Sequence, residues 1–302
     1  MKATDAILVA GPTASGKSAL AMRLAEERGG AIVNADSMQV YSVLRVLTAR
    51  PTAADERAVP HRLYGHVDPR EDHSVARWAS DVATVLRELR AEGRLPVITG
   101  GTGLYFRALL DGLSQVPPID PAVREAVRAA LTEEGPAVLH AMLAGEDRDG
   151  AARLRPTDGQ RIARALEVVR STGRPLHEWQ RAADVPILNR DACERHLVMP
   201  ERALLHERIA ARAARMLRGS GESAAADEVR ALRRLRPPAA ATARKALGVA
   251  AVERLIDGEI DGEEAERRLV VDTRRYAKRQ MTWFRNQFDA GWTLRRLPGD
   301  GG

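Results

Sequence analysis

Residues 11–18 read Gly-Pro-Thr-Ala-Ser-Gly-Lys-Ser and fit G-x-x-x-x-G-K-[ST], the phosphate-binding loop, without a mismatch. The apolar run Ala6–Ala10 before them reads as a buried strand, and Ser18–Ala25 after them as a helix. That order fixes the geometry. Gly11 and Gly16 let the backbone curl so that the N–H groups of Pro12-Thr13-Ala14-Ser15 and their neighbours, proline excepted, converge on one anion. The helix N-terminus adds its partial positive charge there. Lys17 can reach a terminal phosphate, and the Ser18 hydroxyl can hold a Mg²⁺. The loop therefore calls for a diphosphate or triphosphate ligand on an α/β core; a glycine-rich turn without a ligand is the plainer alternative.

The rest of the 302-residue chain sets bounds on that reading. Apolar residues make up 44% and charged residues 29%, a balance typical of water-soluble globular domains. No apolar run approaches the ~20 residues of a membrane span, and the first strand begins too near residue 1 for a leader, so a cytoplasmic protein with no membrane partner is expected. Cys193 alone excludes a disulfide framework and a cysteine-based zinc site. The net charge is +6, carried almost wholly by arginine, since Lys2, Lys17, Lys245 and Lys278 are the only lysines. Such basicity suits a polyanionic partner, and coding bias explains it equally well.

Ala31–Asp36 reads as a second strand that runs into Asp36-Ser37-Met38-Gln39-Val40-Tyr41. Ligands of open α/β sheets sit beyond the carboxyl ends of strands, which brings Asp36 near the phosphate loop; a turn or cap aspartate is the alternative. Pro60–Asp68 is expected as a third strand, with His61 and His66 as structural residues. Ser74 caps a helix whose inner face is Val75, Trp78, Val82, Val85, Leu86 and Leu89, and Trp78 belongs to the core. Leu95–Thr99 is a fourth strand, followed by Gly100-Gly101-Thr102-Gly103, where the glycines admit close approach of a ligand and Thr102 offers a hydroxyl. That strand does not end in the acidic residue that often accompanies Mg²⁺ in ATPases and GTPases.

Beyond Leu113 the pattern changes. A proline-rich linker at 115–121 leads into helices without a strand, so the expected domains are a core over 1–114, a helical insertion over 115–189 and a return to the core over 190–302. Within the insertion, Thr157 or Asp158 caps a helix that ends at Gly173, with Gln160, Arg161 and Arg164 in its first turns as donors for phosphate or base edges, or as a solvated face. Arg195–Pro200 reads as a returning strand. Arg208, Arg212 and Arg215 then share a helix face that can close over a phosphate site. Gly219–Pro238 reads as a loop and a short helix. In the last helix Tyr276, Gln280 and Trp283 share a face beside basic residues, as core packing or as an RNA-facing edge.

Five of these segments together resemble the tRNA dimethylallyltransferases: residues 11–18, Asp-Ser-Met-Gln-Val-Tyr at 36–41, Gly-Gly-Thr-Gly-Leu-Tyr at 100–105, Arg-Ala-Leu-Glu-Val at 164–168 and Tyr-Ala-Lys-Arg-Gln-Met-Thr-Trp-Phe-Arg at 276–285. They stand in the family's order and span nearly the whole chain. The departures are Ser18 for the usual threonine, a stretch at 43–47 without glycines, one histidine at 61–62, and Gly248-Val249 for Gly-Tyr. The resemblance implies a phosphate-loop NTPase-like parallel sheet with a helical insertion that grips the anticodon arm of tRNA. It implies dimethylallyl diphosphate on residues 13–18 with Mg²⁺, Asp36 as the catalytic aspartate, Thr102 at the adenine and Arg212 near the leaving group. It further implies tRNA contacts at Asp36, Ser37, Met38, Gln39, Thr102, Arg124, Gln160, Arg161, Ile162, Ala163 and Arg164. The expected reaction moves a dimethylallyl group to N6 of the adenosine beside the anticodon (position 37), in a protein expected to be a monomer. A small-metabolite kinase using ATP and a nucleotide-switched RNA-binding protein are the competing readings.

Overall fold

Five apolar residues in a row leave Ala6–Ala10 without a solvent face, and they form β1, buried along its whole length. A computed structural model describes residues 4–181, 185–218 and 225–296. The chain divides into two compact units, one of Met1–Leu110 with Ile187–Gly302 and one of Asp111–Pro186.

In the first unit β1 is followed by α1 (Lys17–Glu27), β2 (Gly30–Asn34), α2 (Ala53–Ala58), β3 (His61–Arg62), α3 (Val75–Ala91), β4 (Leu95–Gly100) and α4 (Gly103–Asp111). Among the described residues the second unit holds five helices: α5 (Pro121–Glu133), α6 (Pro136–Glu146), α7 (Arg148–Ala152), α8 (Gly159–Thr172) and α9 (Leu176–Trp179). The chain then returns through β5 (Cys193–Val198), α10 (Arg202–Arg218), α11 (Ala225–Leu235), α12 (Val249–Ile256), α13 (Gly262–Gln287) and β6 (Thr293–Arg295). The strands make one parallel sheet in the order β3-β2-β4-β1-β5-β6. This is the α/β architecture expected of a phosphate-loop core.

Register is what matters for the site. Ala10 pairs with Gly100 on one side and Leu197 on the other, and Asn34 pairs with Thr99. The carboxyl ends of β2, β4, β1 and β5 therefore lie side by side at one level, and the loops leaving them share one rim. Beneath it, Leu20, Ala21 and Ala25 of α1 pack on Ile7, Val9, Ile32 and Val97.

Local signals place several elements as expected. The Ser74 side chain accepts from Arg77 N–H and caps α3, whose buried residues are Trp78, Val82, Val85, Leu86 and Leu89. Trp78 stacks on Tyr105 with centroids 4.1 Å apart; a buried aromatic of this kind contributes about 3–5 kcal/mol. Asp158 caps α8, and Gly173 ends it at φ 67°.

Two expectations change. The strand expected over 60–68 is only His61–Arg62, because Leu63 and Gly65 take left-handed φ values of 62° and 59° and turn the chain away; a bridge between Tyr41 and Val67 is what remains. β6 was not apparent from the sequence, being three exposed residues paired to β5. The short helix expected within 219–238 is the 11-residue α11, while 219–224 lie outside the described residues. The buried Glu228 of α11 accepts from Val46 N–H at 2.6 Å and Leu47 N–H at 3.0 Å. It holds the stretch at 43–47 in place without glycines.

Candidate active site

The phosphate loop links β1 to α1 with the curvature its sequence demands: Gly16 sits at φ 89° and Ala14 at φ 62°. Ser15 is fully buried, and its N–H donates to Pro12 O. Lys17 Nζ donates to Pro12 O at 3.3 Å, folding the ammonium back over the loop. Ser18 lies in the first turn of α1 and is exposed.

Asp36 follows β2 and is held from three sides. Its N–H donates to Asn34 Oδ1 at 2.8 Å, its carbonyl accepts from Asn34 Nδ2 at 2.9 Å, and its Oδ1 accepts from Met38 N–H at 2.9 Å. Asn34 is fully buried and also donates to Leu63 O, while its own carbonyl accepts from Trp78 Nε1. The aspartate is thus pinned to a buried amide, itself pinned to a buried indole, and Oδ2 is left facing Gly101. Thr102 closes the other side: its Oγ1 accepts from Ser37 N–H at 2.9 Å and lies 3.3 Å from Ser37 Oγ. Gln39 Nε2 donates to the carbonyls of Thr48 and Ala49, which braces the 36–41 segment from below.

Arg212 of α10 donates to Thr13 Oγ1 at 2.9 Å, and Arg208 donates to Ser15 O. The arginine face of α10 therefore meets the phosphate loop, as its spacing suggests, except that Arg215, the third of the row, is exposed. Burial lowers Lys17 to a pKa of about 8, with Asp36 pulling it up and Arg212 pushing it further down. Burial likewise lowers Arg212 to about 10, opposed by Asp36. Two cations and one carboxylate thus share a space poor in water. Tyr64, Tyr105 and Tyr276 also border Asp36, their hydroxyls pushed far up by burial first and the aspartate second.

The glycines after β4 admit a neighbour that the sequence did not point to. A Cβ on Gly101 would stand 2.2 Å from Gln280 Nε2, and one on Gly103 would stand 2.1 Å from the Trp283 ring. The close approach they permit here is that of α13. Gln280, which the sequence places on one helix face as core packing or as an RNA-facing edge, is a site residue: it is buried, accepts from Thr13 N–H at 2.9 Å and donates to Gly101 O at 2.9 Å. One amide joins the phosphate loop to the second glycine turn. The signal available was its place between Tyr276 and Trp283 on one helix face; Asn34 gave none beyond being polar in a buried strand. Gln280→Ala leaves two buried backbone groups unpaired, and a loss of about 2–4 kcal/mol in unfolding free energy is expected, with weaker diphosphate binding. Denaturant melts and diphosphate titration of the variant check this; wild-type values in both would remove the clamp's role.

In the helical unit Arg124 is exposed on α5, and Gln160, Arg161 and Arg164 lie on the first turns of α8. The buried Glu167 accepts from Arg128 Nε at 2.9 Å and lies 3.8 Å from Arg164 Nη1. Arg124, Arg128 and Arg164 are close enough that the first two lower the pKa of the third, after burial. A carboxylate with arginines around it orients guanidinium groups for an anion. Ile162 and Ala163, expected at the RNA, are instead 0% and 1% exposed in the core with Val127, Leu139 and Leu166. They sit on the inward face of α8, so side-chain contacts to a ligand fall to their neighbours.

Comparison with known proteins gives one result throughout. The family described as IPP transferase matches residues 39–287, and that described as isopentenyl transferase matches residues 4–70. The chain is 51% identical over 289 residues to a tRNA dimethylallyltransferase of Agrobacterium fabrum, covering 96% of both chains. It is also 51% identical over 292 residues to one of Nitrobacter hamburgensis, covering 96% of this chain and 91% of the other. Among solved structures, the tRNA isopentenylpyrophosphate transferase of Bacillus halodurans superposes with a TM-score of 0.66 at 32% identity, over 98% of this chain and 90% of that one. A eukaryotic dimethylallyltransferase acting on tRNA gives 0.76 at 25% identity, over 92% of this chain and 69% of that one.

Proposed function

This chain belongs to the IPP transferase family and is an enzyme that prenylates adenosine in tRNA, and on that premise we propose the donor, the atom modified and the residues that act. The donor is dimethylallyl diphosphate and the acceptor is N6 of the adenosine next to the anticodon, at position 37. The allylic C–O bond breaks, a C–N bond forms, the N6 proton leaves, and diphosphate is released. The protein works in the cytoplasm as a monomer.

The phosphate loop, residues 11–18, here steadies a departing diphosphate instead of transferring a phosphoryl group. Charge grows on the leaving oxygens as the C–O bond lengthens, and Lys17, Arg212 and the loop N–H groups meet it. Mg²⁺ suits the donor set: Ser18 offers one exposed hydroxyl and β4 ends in Thr99-Gly100 without a carboxylate. An ion that prefers few protein ligands plus phosphate oxygens and water fits such a site. When bound, it supplies further neutralisation of the diphosphate.

Adenine N6 is a weak nucleophile because its lone pair is drawn into the ring. Asp36 accepts one N6 hydrogen, orients the amine and takes the proton as the new bond forms. Thr102 and Ser37 fix the base from the neighbouring loop, which requires the adenine to leave its stack. Met38 and Gln39 extend the same edge. Arg124, Gln160, Arg161 and Arg164 hold the anticodon arm, mainly through phosphates. The observation that carries the reading is a carboxylate tied to a buried amide beside two desolvated cations, with a hydroxyl from the next strand end bonded to the adjoining Ser37.

Incubation with Mg²⁺, dimethylallyl diphosphate and unmodified tRNA bearing adenosine 37, followed by digestion to nucleosides, tests this directly. Mass spectrometry is expected to find an adenosine heavier by one isoprene unit, fragmenting at N6. A prenyl group elsewhere would overturn the assignment of atom or position. No product from this donor would overturn the assignment of dimethylallyl diphosphate.

A further inference from the structure

Of His61 and His66, the two histidines that read as structural from the sequence, His66 meets a third, His73. His66, in the loop after β3, points its Nε2 at Asp81 Oδ2 of α3 from 3.5 Å. His73, just before the Ser74 cap, points its Nε2 at the same oxygen from 2.9 Å. The two imidazole rings meet edge to face with centroids 5.5 Å apart. Among the described residues these three side chains form a group whose ligand atoms all lie within 4.8 Å of one another.

We propose that His66, His73 and Asp81 form a binding site for a divalent transition metal of the zinc type, separate from the phosphate loop. Two imidazole nitrogens and one carboxylate oxygen are a donor set that zinc accepts, with the fourth position left to water. Bonds of about 2.0–2.2 Å in tetrahedral geometry put ligand atoms about 3.3–3.5 Å apart, and the two separations to Asp81 Oδ2 bracket that spacing. Both nitrogens already face the shared oxygen, so an ion enters by replacing two hydrogen bonds with coordinate bonds.

The His73 ring is fully buried, and its Nδ1 has no partner. A ring so placed is held in one orientation by packing, with Nε2 its working atom. His66 and Asp81 are each about one-third exposed, which gives an ion a way in. The nearby cation Arg77 is occupied by Glu71 at 2.7 Å, so its charge is partly cancelled. The ion would tie three points of the chain across a span from residue 66 to residue 81. Val67, next to His66, bridges Tyr41 at the end of the segment that carries Asp36. The site is therefore a staple behind the active-site loop.

The test uses tag-free, full-length protein stripped with a chelator and then dialysed. Zn²⁺ is titrated calorimetrically, and Co²⁺ is added separately to read coordination geometry from its visible absorption. One equivalent of Zn²⁺ and an intense tetrahedral-type Co²⁺ spectrum are expected. Both should weaken at least about tenfold in His66→Ala and in Asp81→Asn, in line with the loss of a ligand. Diphosphate affinity in those variants should stay at the wild-type value, which shows that they are folded and that the phosphate loop is not the ion's site. Equal Zn²⁺ affinity in wild type and His66→Ala, or no stoichiometric binding in the wild type, overturns the proposal and leaves a hydrogen-bonded His–Asp–His group.

Discussion

Asp36→Ala is expected to lower the turnover of bound tRNA by about a hundred- to ten-thousandfold, the usual worth of a positioned proton acceptor, while tRNA affinity changes little. The carboxylate has two jobs that the structure separates. Oδ1 accepts from Met38 N–H and helps to shape the 36–41 turn. Oδ2 faces Gly101 and the space between the two loops. Asp36→Asn distinguishes them, because the amide oxygen can still accept from Met38 while the group no longer takes a proton. If proton acceptance dominates, Asn and Ala fall together. If shaping of the turn dominates, Asn recovers most of the rate. Single-turnover measurements with saturating tRNA and donor read the chemical step apart from binding. An Asp36→Asn enzyme within about tenfold of wild type would remove the aspartate from its role as base.

The parts of this site that a reader of the sequence can find are those set by local rules. The phosphate loop is one, since its glycine spacing fixes backbone curvature and its lysine follows directly. Asp36 and Thr102 are others, because each ends a strand in a sheet whose parallel order is itself legible from the alternation of strands and helices. The caps at Ser74 and Asp158 and the buried face of α3 depend only on neighbours three or four residues away.

What escaped depends on partners far along the chain. Gln280 acquires its meaning from residues 267 and 179 positions away. Asn34 acquires its meaning from Trp78 and Leu63. The glycines at 101 and 103 look like a ligand cradle and prove to be the seat of α13. The run from Ile162 to Ala163 shows the opposite error: a segment carried over whole includes residues that helical periodicity turns inward. β6 is too short and too exposed to give a pattern; its pairing with β5 alone defines it.

The second large effect belongs to Lys17. Replacing it with methionine keeps the aliphatic stem and removes the charge, so the loss measured is electrostatic. Removal of one preorganised donor from a site where charge develops lowers kcat by about a hundred- to a thousandfold. Arg212→Ala should fall in the same range, and the double variant by less than the product of the two, because both cations act on one leaving group. The pH dependence carries a sharper signature. Burial holds the free enzyme's Lys17 at about 8, against an ordinary 10.5. Below pH 8 the ammonium is charged and diphosphate binds at full strength. Above it the free enzyme must first take up a proton, so affinity is expected to fall by up to tenfold per pH unit. The stability of the empty enzyme runs the other way. Between pH 8 and 10.5 the unfolded chain still holds the proton that folded Lys17 has released, so this residue makes stability rise with pH across that window. Isothermal titration with diphosphate, and denaturant melts, across pH 7–10 read both slopes. The difference between wild type and Lys17→Met isolates the lysine from diphosphate's own ionisation and from other side chains. Parallel profiles for the two proteins would mean that Lys17 keeps its charge throughout and that neither slope comes from its titration.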